Sequence, residues 1–172
     1  MVKGKAEKRT ERQATSANLY HFLECGLQNV YLSGIRYFVY PDGRSEPEVP
    51  KRDELMQWIA RRIIEQDLSL TGDEILFLRK RLGQSQTVFA PAVGLAHETL
   101  SRAENGHQKL SQATDKVIRL YYAVLGMNDT WLAELRAQLT TVLTAWKERP
   151  YGTGPRLLFG NFKNGKWYVP LP

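Results

Sequence analysis

The period of the apolar positions changes along the chain, and each change predicts a different element. Met1 to Gln13 has no apolar periodicity and is dense in charge, which predicts a flexible basic arm over residues 1–17, either a solvated tail or a phosphate-contacting one. From Val30 the residues become β-branched and aromatic: Val30-Tyr31-Leu32, then Ser33-Gly34, then Ile35 to Tyr40, a pattern that predicts a hairpin turning at Ser33-Gly34. Pro41-Asp42-Gly43 predicts the next turn, and Arg44 to Pro50 holds too many acidic and turn-forming residues to predict a paired strand. Leu55, Met56, Ile59, Ala60, Ile63 and Ile64 then share one helical face, with Arg52, Gln57, Arg61 and Arg62 opposite, so a helix is expected from Pro50 to about Gln66. These elements make a small α+β unit over 18–68.

Beyond Leu70 the period is helical to about Lys147. Thr71-Gly-Asp-Glu74 is a capping box, and Ile75, Leu78 and Leu82 supply the buried stripe of the helix it opens, which Gly83 can close. Ser85 is an N-cap for a second helix with Val88, Phe89 and Ala92 inward, and the small Ala90 permits close helix approach. Val93-Gly94-Leu95 predicts a tight reversal into a third helix from about Ala96 to Glu104. Thr114 to Leu125 is too broadly apolar for an exposed helix and is expected to pack within the domain or against a second copy; Trp131 to Trp146 repeats apolar residues at spacings of three and four, as a core helix or a dimer helix would. Asn164-Gly165 between two aromatic-rich runs predicts a C-terminal hairpin, whose edge is free to join the N-terminal strands in one sheet. The expected fold is mainly α: a central five-helix domain over 69–126, a small α+β unit before it, and a C-terminal helix and β-hairpin over 127–172.

Composition narrows the partners. A chain of 172 residues with 42% hydrophobic content can bury one good core or two small ones. The formal charge is +6, and it is unevenly spread, residues 13–70 holding eight acidic against six basic side chains while both ends are basic. That balance suits a nucleic-acid partner. The single Cys25 excludes an intramolecular disulfide and a cysteine-rich zinc site, and reads as a small buried hydrophobe rather than a nucleophile. No cofactor and no metal is expected. The N-terminus lacks the apolar core of a secretory signal and no long apolar run follows, so a cytoplasmic protein without membrane association is expected.

The segment Gln86 to Gly106, QTVFAPAVGLAHETLSRAENG, resembles the lambda-repressor-like (Cro/XRE) helix-turn-helix, with Gln opening the second helix and Glu-Asn-Gly closing the third. The longer stretch from Leu70 resembles the DNA-binding half of MqsA-type antitoxins, although the paired cysteines of that group are absent here, and with them any zinc role. The resemblance implies that the third helix enters the major groove and that His97, Glu98, Ser101 and Arg102 read base edges. Helical geometry independently puts these four on one face. Arg102 suits a bidentate pair with guanine, His97 a base edge or a phosphate, and Glu98 either cytosine N4 or the orientation of Arg102. By the same resemblance Gln86, Asn105 and Lys109 clamp phosphates, and Arg79 and Arg81, in a basic cluster partly on the outer face of the first helix, are expected to bind phosphates as well.

These features predict a sequence-specific transcriptional regulator, a repressor bound as a dimer to a palindromic operator with half-sites about 34 Å apart. The alternative is an antitoxin-type protein whose mildly acidic N-terminal unit neutralises a protein partner such as a toxin, the helix-turn-helix serving autoregulation. His21 and His107 gain no support from any motif. No nucleotide-binding loop, nucleophile elbow or metal-binding helix motif is present, so an enzyme is not expected and no residue is assigned a catalytic role.

Overall fold

The computed structural model describes residues 9–131, 133 and 157–168. Its elements in chain order are β1 (Thr10–Gln13), β2 (Tyr20–His21), a short 3-10 turn (Leu23–Cys25), β3 (Val30–Ser33), β4 (Arg36–Val39), β5 (Ser45–Glu48) and α1 (Arg52–Glu65). There follow α2 (Gly72–Arg81), α3 (Gln86–Ala92), α4 (His97–Glu104), α5 (Gln112–Gly126), β6 (Leu158–Lys163) and β7 (Lys166–Tyr168). The chain divides into two units, one of Met1–Glu24, Gln28–Trp58 and Arg156–Pro172, the other of Cys25–Leu27 and Ile59–Pro155. The expectation of a mainly α protein with a five-helix core is therefore corrected: the fold is mixed α/β, with sheets of three and four strands among the described residues, and four helices lie between Gly72 and Gly126. Short strands with little apolar alternation, β1 fully exposed among them, concealed this β content.

In the first unit β1, β4 and β5 form an antiparallel sheet in that order, and β2, β3, β6 and β7 form the second. Leu32, Ile35, Tyr37, Leu55, Leu158 and Trp167 are among its buried residues. Three sequence expectations change here. Thr10–Gln13 is a strand paired with β4 rather than part of a flexible arm reaching to residue 17. Arg44 to Pro50 does contain a strand, β5, whose Pro47 is tolerated because β5 lies at the sheet edge. And Ser33-Gly34 does not turn a hairpin, since β3 pairs with β2 and β6 while β4 pairs with β1 and β5. Gly34 instead passes the chain from one sheet to the other: its amide donates to the Ala14 carbonyl at 2.9 Å, its φ is +77°, and a Cβ there would lie 2.2 Å from the Phe162 carbonyl oxygen. The turn after β4 forms as expected, Gly43 N–H donating to the Tyr40 carbonyl at 3.0 Å. So does the Asn164-Gly165 hairpin, with φ of 52° and 75° at its two turn residues, and β6 joins β3 in parallel to place both ends of the chain in one sheet.

The described part of the second unit is mainly helical. The carbonyls at the end of α1 have no intrahelical donor, and Arg119 of α5 supplies one: its Nη1 donates to the carbonyls of Ile63 (2.6 Å), Ile64 (3.0 Å) and Gln66 (2.9 Å), and Nη2 to that of Leu68. Its Nε donates to Asp115, whose other oxygen accepts from the Leu70 amide at 2.6 Å. One buried ion pair thus fixes the path from α1 to α2. Ile75, Leu78, Phe89, Leu100, Ile118 and Tyr122 are buried in this unit. The expected helix from Trp131 to Trp146 lies outside the described residues apart from Trp131 and Ala133. Among the described residues no helix is long and apolar enough to cross a membrane.

Candidate nucleic-acid interface

Local chemistry sets where each helix of the second unit starts. The Thr71 hydroxyl accepts from the Glu74 amide at 3.3 Å, and the Glu74 carboxylate accepts from the Thr71 amide at 2.8 Å, so the capping box forms and α2 begins at Gly72. The same carboxylate accepts from Gln66 Nε2 at 2.8 Å. Ser85 caps α3 through the Val88 amide at 3.3 Å. Pro91 falls in the last turn of α3, where it removes an intrahelical donor, and the helix ends one residue later, closing with Leu95 N–H donating to the Ala90 carbonyl at 2.8 Å around Gly94, whose φ is +73°. Four residues, Val93 to Ala96, therefore separate α3 from α4.

Glu104, the last residue of α4, holds the three helices together. Arg79 of α2 approaches it with two parallel bonds, Nε to Oε1 at 2.6 Å and Nη2 to Oε2 at 2.8 Å, and Gln86 of α3 donates Nε2 to the same Oε2 at 2.6 Å. Arg79 Nη1 also donates to the Gln84 carbonyl at 2.8 Å. Both charged side chains are buried, 10% and 4% exposed, and the Glu104 carboxylate raises the Arg79 pKa further above its ordinary value. The start of α2 lies equally close to the end of α4, where a Cβ on Gly72 would stand 2.6 Å from the Ala103 and Glu104 carbonyl oxygens. On the far side Phe89 meets the Tyr121 ring edge-on at 5.7 Å, and Gln84 Nε2 donates to the Tyr121 hydroxyl at 3.0 Å.

With Leu100 and Ala103 inward, α4 turns the opposite face outward. His97, Glu98 and Arg102 are exposed there and Ser101 is half-buried. Among the described residues no ion pair or hydrogen bond engages the side chains of His97, Glu98 or Arg102, and Glu98 is not salt-bridged to Arg102. No family model matches this chain, and no curated protein or solved structure matches it. The geometry of this face is therefore what any functional reading rests on. It is a short helix, tied at its C-terminal end through Glu104, that presents one acidic, one basic and one imidazole group to solvent.

The remaining sequence-derived positions divide. Asn105 and Lys109 are exposed beyond the end of α4, Asn105 Nδ2 donating to the Ser101 carbonyl at 2.7 Å. Arg79 and Gln86, by contrast, are spent on Glu104, and Arg81 is half-buried with its Nε shielded and its side chain beside the Tyr122 hydroxyl. Burial pushes that hydroxyl's pKa up, and the hydrogen bond from Arg81 offsets part of the rise. The structural roles of Glu104 and Arg119 were not read from the sequence. Its place in the Glu-Asn-Gly that closes the resembling segment marks Glu104 but does not name its partners. Among the described residues no group of three His, Cys, Asp or Glu side chains is placed to hold a metal ion.

Proposed function

We propose that the chain is a sequence-specific DNA-binding regulator, a cytoplasmic repressor that acts as a dimer on a palindromic operator, with α4 as the helix that enters the major groove. The observation that carries the proposal is the outward face of α4, where His97, Glu98 and Arg102 are exposed and unengaged on a helix whose two ends are held by the α3 turn and by Glu104. A helix held this way offers several donors and acceptors at fixed spacing, which is what base-edge readout requires. Arg102 is assigned to guanine, and Ser101 and Glu98 to neighbouring edges. Asn105 and Lys109 are assigned to phosphates, which position without specifying. The resemblance of Gln86 to Gly106 to lambda-repressor-like regulators agrees with the assignment. Val117, Val124 and Leu125 of α5 are exposed and apolar, a surface suited to burial in a second copy.

The test is fluorescence anisotropy on duplex DNA from the region upstream of the coding sequence, across a salt series, with wild type and Arg102→Ala. Site-selective binding is expected, weakened by about 1 to 3 kcal/mol in Arg102→Ala. Lys109→Ala should weaken all duplexes alike and lower the salt slope by about 1. Equal, weak binding of both Arg102 forms to every duplex overturns the proposal.

A further inference from the structure

The four-stranded sheet of the first unit carries a feature that duplex recognition does not use. Cross-strand register puts His21, Tyr31 and Phe159 in one row across β2, β3 and β6. The His21 and Tyr31 rings stack at 4.6 Å with 9° between planes, and Tyr31 meets Phe159 at 5.8 Å. Two residues further along β6, on the same face, Asn161 pairs with Tyr168, which is 45% exposed, and beyond them Lys163 pairs with Lys166. The opposite face holds the buried Leu32, Gly160 and Trp167. A ladder of rings, partly open to solvent, thus ends in two exposed ammonium groups.

Charge separates this face from the rest of the unit. β2, β3, β6 and β7 contain no Asp or Glu, whereas on the three-stranded sheet Arg36 is paired with both Glu11 and Glu48. Cross-strand aromatic pairing alone would explain the ladder as a stabilising device. It does not explain two lysines placed directly opposite one another, an arrangement that costs stability unless an anion lies between them. Partly exposed rings and cations spaced along a strand are the two components of base-stacking, phosphate-tracking surfaces.

We infer that this sheet face binds single-stranded nucleic acid, the bases stacking on Tyr31, Phe159 and Tyr168 and the backbone phosphates lying on Lys163 and Lys166. The inference does not depend on the role proposed for α4.

The test uses the full-length protein with fluorescein-labelled oligo(dT) and oligo(U) of about 12 nucleotides, within the span of single-strand sites. Both should bind at low salt, and a preference for one names the sugar while leaving the proposal standing. Tyr31→Leu and Phe159→Leu should each weaken binding about tenfold, and Tyr31→Phe should not. Tyr168→Ser, at an exposed position, gives the same loss with no core to disturb. Lys163→Ser with Lys166→Ser should lower the salt slope by about 1.4. His97→Ala with Arg102→Ala should leave single-strand affinity unchanged. Failure to bind either oligonucleotide, or binding indifferent to Tyr168→Ser and to the lysine pair, overturns the inference; single-strand binding lost instead in the α4 double variant overturns it in favour of α4.

Discussion

Glu104 accepts from side chains on two other helices, so its loss should be felt by all three. Glu104→Ala leaves the buried Arg79 charge without its partner, and a destabilisation of about 3 to 5 kcal/mol is expected in urea titrations, with Arg102→Ala on the outward face within about 0.5 kcal/mol of wild type. If both variants unfold at the wild-type midpoint, the cluster does not hold the helices. A second residue-scale expectation concerns alkali. Burial, aided by the hydrogen bond its hydroxyl donates to Glu24 at 2.6 Å, pushes the Tyr20 pKa from 10.0 up to about 12. The unfolded chain releases that proton near 10 and the folded chain holds it, so this contribution is intact below pH 10 and is lost as pH rises toward 12. Tyr20→Phe should flatten the fall in urea midpoint over that window; an unchanged slope would remove Tyr20 as its source. Neither residue's partners could be named from the sequence, because burial and partnership with distant groups are properties of the assembled fold.

At the scale of elements, legibility followed the range of the interactions involved. The starts of α2 and α3 and the β6–β7 hairpin were readable because Thr71 with Glu74, Ser85 with Val88, and Asn164-Gly165 act within a few residues. The outward face of α4 was readable for the same reason, since helical spacing alone groups His97, Glu98, Ser101 and Arg102. β1 and β5 were not, because an exposed strand owes its conformation to β4 rather than to its own pattern. Gly34 misled because a glycine before a β-branched run signals a turn, whereas here it admits a backbone: Gly34→Ala combines a positive φ with a clash at the Phe162 carbonyl, and a loss of at least about 2 kcal/mol is expected by thermal or urea unfolding. The end of α1 offers a related test. Only a planar fork reaches Asp115 and four carbonyls together, so Arg119→Lys should lose several of these bonds despite keeping the charge, lowering the urea midpoint and speeding amide exchange at the end of α1. Wild-type exchange rates in that variant would show that the charge alone suffices.

Across the whole molecule, the first unit draws its strands from both ends of the chain, with the second unit's residues lying between them in sequence. Pairing of Val30 with Leu158 is accordingly a contact of very long sequence separation, and such contacts close slowly. That separation also has a duration. At a synthesis rate of about 5 to 20 residues per second, roughly 6 to 25 seconds pass between the emergence of β3 and the emergence of β6, the strand that pairs beside it. Throughout that interval the open edge of β3 is available to any extended segment in reach, so on a crowded polysome the neighbouring nascent chain competes with β6, and a chaperone that shields extended chain during translation would decide the yield of native protein.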